Sequence, residues 1–347
     1  FALAFLICLV VGPLTIKMMQ KLKFGQQVRD DGPASHLKKQ NVPTMGGVMI
    51  VFSLCATALI FRFHGSALVA VLAVLGYGIV GFLDDFIKIV KKRSLGLRAY
   101  QKIIGQLGIA VIIALYAYKN PNIGSSVFVP FAGFIVFGIW YVPFAVFVIL
   151  AMVNGANLAD GLDGLAARMT MVEGITLAVI IGTVALNSQS EAQQGDLKYT
   201  GVSTISCVTI LVVALLVSEP NVALIVAALA GACIGFMPYN MNPAKIFMGD
   251  TGSLALGGAL GICALFSRMA VLLPVMCVML VASCVSVILQ VGSYKLRHGK
   301  RIFKMAPLHH HYELLGYHET TVTAMYTLIT IAACALTLMM AFEFPTF

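Results

Sequence analysis

Apolar and polar positions separate into long blocks along this chain rather than alternating. Apolar runs fall at 1–16, 46–62, 68–83, 103–118, 134–153, 170–187, 201–217, 222–239, 253–267, 270–291 and 321–342. A helix that crosses a hydrocarbon core of about 30 Å needs roughly 20 apolar residues. Each run therefore predicts a membrane helix, the shorter ones with boundaries that extend a few residues further. Residues 1–16 reach only about 24 Å at about 1.5 Å per residue, so the numbering is expected to begin partway into a first membrane helix. That run opens without Met, without a basic flank and without a small-residue cleavage site, so it does not read as a signal peptide.

The polar connections carry the orientation. Lys17, Lys21, Lys23, Arg29, Lys38 and Lys39 lie in 17–45; Lys88, Lys91, Lys92, Arg93, Arg98 and Lys102 lie in 84–102; Lys295, Arg297, Lys300, Arg301 and Lys304 lie in 292–320. Loops rich in Lys and Arg stay cytoplasmic. Counting crossings from these loops leaves room for an even number between 168 and 240, where three apolar runs lie. The run 201–217 is expected not to span, because Ser203, Thr204, Ser206 and Thr209 make its first half the most polar. The expected architecture is a single polytopic domain over 1–347, an all-α integral membrane protein. It has ten transmembrane helices with both termini outside.

Composition agrees and narrows the function classes. The chain is 60% hydrophobic and 11% charged, against about 25% charged in soluble domains. Its net charge of +9 sits in the cytoplasmic connections, so it reads as a topology signal and not as a nucleic-acid surface. The eight cysteines lie inside apolar runs with no CxxC pair, which reads as free, buried thiols.

Candidate chemistry concentrates in five short stretches. Of eight aspartates, five (Asp84, Asp85, Asp160, Asp163 and Asp250) fall at cytoplasmic ends of apolar runs. Carboxylates so placed suit a hard cation, and Mg²⁺ is usually held by one or two carboxylates with substrate phosphates. Neighbouring helical residues do not face each other, so Asp84 and Asp85 are expected to do different work. In VNGANLADGLDGLA, residues 153–166, Asn154, Asn157, Asp160 and Asp163 recur every three residues and would line one helix face, a row suited to a base and ribose. In YNMNPAKIFMGDTGSLALGG, residues 239–258, GDTGS reads as a helix start with Asp250, Thr251 and Ser253 as candidate caps. A helix N-terminus attracts phosphate, and Phe247 beside it is either a stacking platform or an ordinary apolar residue. In PLHHHYE, His309, His310 and His311 lack zinc spacing and read as phosphate donors, one of them oriented by Glu313. In KKQNVPTMGG, Lys39 and Thr44 are candidate phosphate or sugar contacts.

Taken in order, DD after a membrane helix, NxxNLxDGLDGL, FMGDTGS and PLHHHYE resemble the polyprenyl-phosphate N-acetylhexosamine-1-phosphate transferases. PTMGG and the HHH loop resemble the bacterial branch whose donor carries a pentapeptide. The resemblance covers about residues 12 to 342. It implies transfer of phospho-MurNAc-pentapeptide from UDP-MurNAc-pentapeptide to undecaprenyl phosphate, giving lipid I and UMP, with Mg²⁺ as cofactor. It also implies ten transmembrane helices with both termini periplasmic, an active cleft on the cytoplasmic face, and a homodimer in the bacterial inner membrane that binds uridine-mimicking nucleoside inhibitors. The alternative within the family is a sister enzyme that uses UDP-GlcNAc. Carried over by position, Asp84, Asp85, Asp250 and His309 would be catalytic, with Asp250 holding the metal. Asn157, Asp160, Asp163, Asn240 and Phe247 would form the nucleoside pocket, Phe247 stacking on uracil. Lys39, Thr44, Lys88, Lys102, His310 and His311 would surround phosphate and sugar. Two departures stand out: Ala159 occupies a position where the family often has Thr, and the segment around 188–217 is longer than the family's.

Overall fold

A computed structural model describes residues 1–22, 42–91, 96–193 and 221–342. Its helices are α1 (Ala2–Lys21), α2 (Gly47–Ile60), α3 (Gly65–Val90), α4 (Ala99–Lys119), α5 (Tyr141–Ala159) and α6 (Leu165–Gln193), followed by α7 (Asn221–Asn240), α8 (Gly249–Phe266), α9 (Val278–Leu296), α10 (Leu308–Leu314) and α11 (Glu319–Phe342). Among the described residues nine helical stretches are long and apolar enough to cross a membrane. α2, with 14 residues, reaches only about 21 Å. These ten elements fall on the ten runs expected to span. The run 201–217 and Lys39 lie outside the described residues.

The outward surface is that of a protein in lipid. Leu14, Ile112, Ile288 and Leu328 are each about two-thirds exposed, although water would penalise such a belt of large apolar side chains. The centre is α8, buried from Thr251 to Phe266. It packs against α3, α5, α2 and α7. A helix apolar on all sides belongs inside, and small residues let its neighbours close in. Gly81 of α3 lies directly on the Asp250 carbonyl, and Gly47 lies on the backbone of Gly252. Without a solvent-driven force between helices in lipid, this tight packing is what holds them together.

The structure corrects the expected outline in three places. Two short antiparallel strands, β1 (Ser126–Val129) and β2 (Gly133–Val136), precede α5, so the expected span 134–153 begins as a strand and its helix starts later. Gly133, with φ +74°, supplies the left-handed turn residue that a hairpin needs. The expected span 270–291 is broken at Cys277, after a 3-10 turn Ala270–Leu272 and a single helical turn Leu273–Met276. α3 continues through Asp84 and Asp85 to Val90, so the two acids lie within its last turns and do not end it.

One further feature bears on function. The Gly164 N–H donates to Asn240 Oδ1 at 3.1 Å, so α6 leaves from the end to which α7 returns. The same end gathers the C-termini of α3, α5 and α9 and the N-termini of α2, α4, α8 and α11, with α10 across them. One face of the bundle therefore collects nearly all the polar residues singled out above.

Candidate active site

The site begins with two helices in antiparallel contact, α3 and α8. One oxygen from each of Asp84, Asp85 and Asp250 can be chosen so that all three lie within 4.8 Å of one another. Asp84 and Asp85 are each 3% exposed. Three carboxylates this close and this dry repel strongly, and two lysines answer them. Lys88 follows Asp84 and Asp85 by four and three residues, so it folds back over them on the same helix. Its ammonium stands 2.6 Å from Asp84 Oδ2, 3.4 Å from Asp85 Oδ1 and 3.0 Å from Asp250 Oδ2. Lys102 of α4 reaches Asp250 Oδ2 at 2.7 Å and Asn157 Oδ1 at 3.0 Å. The Asn157 amide donates to Asp250 Oδ1 at 2.8 Å and to Ser253 Oγ at 2.9 Å. Asp250 is thus held from three helices at once.

The paired acids divide their work as helical geometry requires. Asp85 turns towards α8, where its Oδ2 accepts both the Thr251 N–H and the Thr251 hydroxyl at 3.0 Å. This corrects the expected helix start. Asp250 and Thr251 lie inside the first turn and Ser253 just beyond it, no side chain within α8 caps it, and the acceptor comes from Asp85 on another helix. Asp84 turns the other way, and its Oδ1 accepts the Leu97 N–H at 2.7 Å.

The row of polar residues in 153–166 does not share one helix face. α5 ends at Ala159, Asp160 sits at its C-cap with ψ +48°, and Gly164 at φ +73° completes a turn. Asn157 alone of the predicted four reaches the acids. Burial, then the negative charges of Asp250 and Asp85, push the Asp160 carboxyl well above the ordinary carboxylate range. Asp163 is buried and faces the loop after α7: its Oδ2 accepts from Asn242 Nδ2 at 3.2 Å and from the Ala244 N–H at 3.1 Å. Asn240 braces the same loop by donating to the Ile246 carbonyl at 3.0 Å. Glu319 of α11 completes this knot. It accepts the Asp163 N–H at 2.7 Å and Asn242 Nδ2 at 3.0 Å. Sequence reasoning passed over Glu319, although an acid at the start of a membrane helix was the same signal used for the aspartates.

The remaining candidates surround this centre. The Phe247 N–H donates to the Pro43 carbonyl, and its own carbonyl accepts from Gly46, both at 2.8 Å. The stretch holding Thr44 is thereby fixed against the GDTGS turn, with Thr44 buried and in contact with Gly249. His309 is fully buried, its ring packed on Gly161, where no side chain would fit, and between His310 and Tyr326 at centroid distances of 4.2 and 6.2 Å. His310 pairs with Glu313 at 2.7 Å. His311 accepts the Lys304 N–H at 3.1 Å, so its ring anchors the basic loop.

Chemically, three clustered carboxylates form a hard-oxygen donor set that fits a divalent cation. The ammonium of Lys102 makes two hydrogen bonds among the described residues, and an ammonium has three to give. The arrangement suits charge-rich chemistry at the end of an apolar bundle.

A family model described as glycosyl transferase family 4 matches residues 67–268. Relatives named phospho-N-acetylmuramoyl-pentapeptide-transferase extend the likeness over nearly the whole chain. One from Clostridioides difficile (strain 630) is 39% identical over 342 residues, 98% of this chain and 96% of its own. One from Clostridium novyi (strain NT) is 42% identical over 95% of this chain and 92% of its own. One from Caldanaerobacter subterraneus subsp. tengcongensis is 43% identical over 95% and 94%.

Proposed function

The chain belongs to the phospho-N-acetylmuramoyl-pentapeptide-transferases of glycosyl transferase family 4, and from that premise we propose how its site works and on what. It transfers phospho-MurNAc-pentapeptide from UDP-MurNAc-pentapeptide to undecaprenyl phosphate, forming lipid I for peptidoglycan synthesis and releasing UMP. The observation that carries this reading is the meeting of Asp84, Asp85 and Asp250 with Lys88 and Lys102 where apolar helices end. A lipid phosphate and a soluble nucleotide come together only at such a boundary. The protein is a multi-pass membrane protein. We place it in the bacterial inner membrane, as a homodimer with the acids facing the cytoplasm.

An oxygen of the lipid phosphate attacks the β-phosphorus of the nucleotide. The bond from that phosphorus to the bridging oxygen breaks, and UMP departs with the bridging oxygen. Phosphoryl transfer needs positioning and charge neutralisation more than covalent help. Lys102 and Lys88 bind phosphate oxygens. Asp84 takes the proton of the attacking phosphate on Oδ2, the oxygen it shares with the side chain of Lys88, while Asp85 Oδ2 stays with both Thr251 donors. Asp85 holds the start of α8. Asp250 is the residue to hold Mg²⁺, aided by the neighbouring acids. An ion held there would supply charge neutralisation for the pyrophosphate. Phe247 stacks on uracil, Asp160 and Asn240 border the nucleoside, and Asp163 keeps that border in shape through Asn242 and Ala244. His309 and His310 contact phosphate and sugar from the α10 side, with Thr44 on the opposite side, and Lys39 is a further phosphate contact on its sequence motif alone.

The test is UMP release by purified protein in detergent with undecaprenyl phosphate and either UDP-MurNAc-pentapeptide or UDP-GlcNAc, each with and without Mg²⁺. Release with the pentapeptide nucleotide and metal alone is expected. Release with UDP-GlcNAc instead would assign the chain to the sister specificity. Absence of release with both would overturn the reading.

A further inference from the structure

One helical turn beyond the Asp250 carboxylate, towards the middle of the bundle, α4 and α5 are joined a second time. Lys102 and Gln106 are four residues apart on α4, and Asn157 and Asn154 three apart on α5, spacings that stack side chains on one face. The upper rung is the Lys102 ammonium on Asn157 Oδ1 at 3.0 Å. In the lower rung Asn154 Nδ2 donates to Gln106 Oε1 at 2.9 Å. The second amide hydrogen of Asn154 goes to the Leu150 carbonyl at 2.8 Å. The Gln106 backbone carbonyl accepts the Tyr77 hydroxyl of α3 at 3.2 Å. Tyr77 in turn lies flat against Gly258 of α8, where an added Cβ would stand 2.6 Å from the ring. Gln106 therefore touches, directly or through Tyr77, every helix that supplies an acid or amide to the centre.

Its chemistry is out of place for packing alone. Gln106 is fully buried, and its Nε2 lacks a hydrogen-bond partner among the described residues. A half-satisfied amide in an apolar bundle costs stability that Leu or Met would not. Such a residue is kept for what its other half does, and that half fixes Asn154.

We propose that Gln106 is a positioning residue for the transfer site: its side-chain oxygen locks the register of α4 on α5 and so holds the Lys102 ammonium and the Asn157 amide on Asp250. The consequence for catalysis rests on the transfer reading above. The geometric claim does not. Displacing a charge-bearing group by about 1 Å can cost up to about 100-fold in rate, so losing one rung while the other remains should cost roughly tenfold.

The test compares wild type, Gln106→Leu, Gln106→Met, Asn154→Leu and the Gln106→Leu/Asn154→Leu double variant in two assays. In UMP release, kcat falls about tenfold in each single variant and KM for both substrates stays within about twofold. The double variant is no worse than the worse single, as expected of one shared rung. In acetylation of the native protein with a water-soluble amine reagent, read by peptide mass, labelling of Lys102 rises severalfold while Lys300 is unchanged. Gln106→Met supplies the result if Gln106→Leu does not fold. Wild-type labelling of Lys102 in the folded single variants, multiplying losses in the double, or unchanged kcat would overturn the proposal. Proportional changes in kcat, KM and melting temperature would reduce Gln106 to a packing residue. If wild type releases no UMP, the transfer reading fails while the labelling arm still decides the positioning claim.

Discussion

Asp85 offers the sharpest separation of structure from chemistry. Its Oδ2 accepts two donors from Thr251, the N–H and the hydroxyl, both at 3.0 Å, and both residues are 3% exposed. Hydrogen bonds to a charged acceptor are worth about 1.5–3 kcal/mol each, so the pair sets an upper range of about 3–6 kcal/mol. In Asp85→Ala the Thr251 hydroxyl can rotate to a carbonyl of the preceding turn, a bond common in helices. The N–H cannot. The expected loss is therefore about 2–3 kcal/mol, most of it the cost of a buried donor without an acceptor. Asp85→Asn keeps an oxygen for Thr251 and turns its NH₂ towards Lys88, which stands 3.4 Å from Oδ1. That variant should lose about 1 kcal/mol, as a cap that survives without its charge.

The buried thiols provide the assay. Cys8, Cys233, Cys263, Cys277 and Cys334 are buried, so a thiol-reactive dye reports unfolding in detergent. At roughly 2 °C per kcal/mol for a chain of this size, Asp85→Ala should melt about 5 °C below wild type and Asp85→Asn about 2 °C below. Both should lose at least about 100-fold in kcat, because the acid cluster is short of a charge where electrostatics dominate. A wild-type melting temperature for Asp85→Ala would show that Thr251 does not depend on this acceptor. Equal losses in the two variants would show that charge, not acceptor geometry, secures the start of α8.

Three other perturbations test separate features. Asp160 is an acid held above its ordinary range by burial and by Asp250 and Asp85, so the folded state binds the proton more tightly than the unfolded one, and stability falls as pH rises past about 4. Asp160→Asn should therefore raise the melting temperature at pH 7 and lose that advantage near pH 3–4, approximately the unfolded value; an equal gain at both pH values would contradict the assignment. Glu173 on α6 is fully buried, and its carboxyl oxygens have no nitrogen or oxygen partner among the described residues, only the Cys277 thiol beside them. Glu173→Met should stabilise by about 1–3 kcal/mol and leave UMP release within about twofold, and destabilisation would reveal a partner that the carboxyl requires. Lys88→Met should weaken the mutual enhancement of UMP and Mg²⁺ binding measured by calorimetry, and unchanged coupling would remove Lys88 from both events.

Membrane architecture was legible because lipid writes in long blocks: every expected spanning run meets a helix in the structure, including α2 at 14 residues. The hairpin at Ser126–Val136 was not, because its Phe, Val and Ile residues suit strand and lipid-facing helix equally. The positions of the acids followed from the sequence, but their directions did not. Asp163 was grouped with Asn157 by a three-residue period. That period fails once Gly161 and Gly164 break the helix, and Asp163 then serves Asn242 and Ala244. Asp250 was expected to cap its own helix, whereas the acceptor for Thr251 comes from Asp85, 166 residues away. Gln106 carries no local signal at all. Its importance lies in α4 meeting α5 one turn beneath Lys102, a relation between helices that composition and spacing along one helix do not encode.

The charge balance of the centre explains why two lysines stand among three acids. Asp84, Asp85 and Asp250 with Lys88 and Lys102 leave one net negative charge in a nearly dry space, and unpaired charge there is costly. Both substrates add phosphates. Of the two ammonium groups, Lys102 faces one carboxylate and Lys88 faces all three, so Lys88 is the one that phosphate must compete for. On the proposed transfer reading, Lys88 would turn towards a phosphate once another cation faces Asp84, Asp85 and Asp250. A divalent ion held by these acids would supply that replacement, and cation and phosphate binding would then reinforce one another. Tethering Lys88 three and four residues from Asp85 and Asp84 supplies the balancing charge from within one helix. On that reading the same lysine would balance the acids in the resting protein and serve the phosphates once the cation has replaced it.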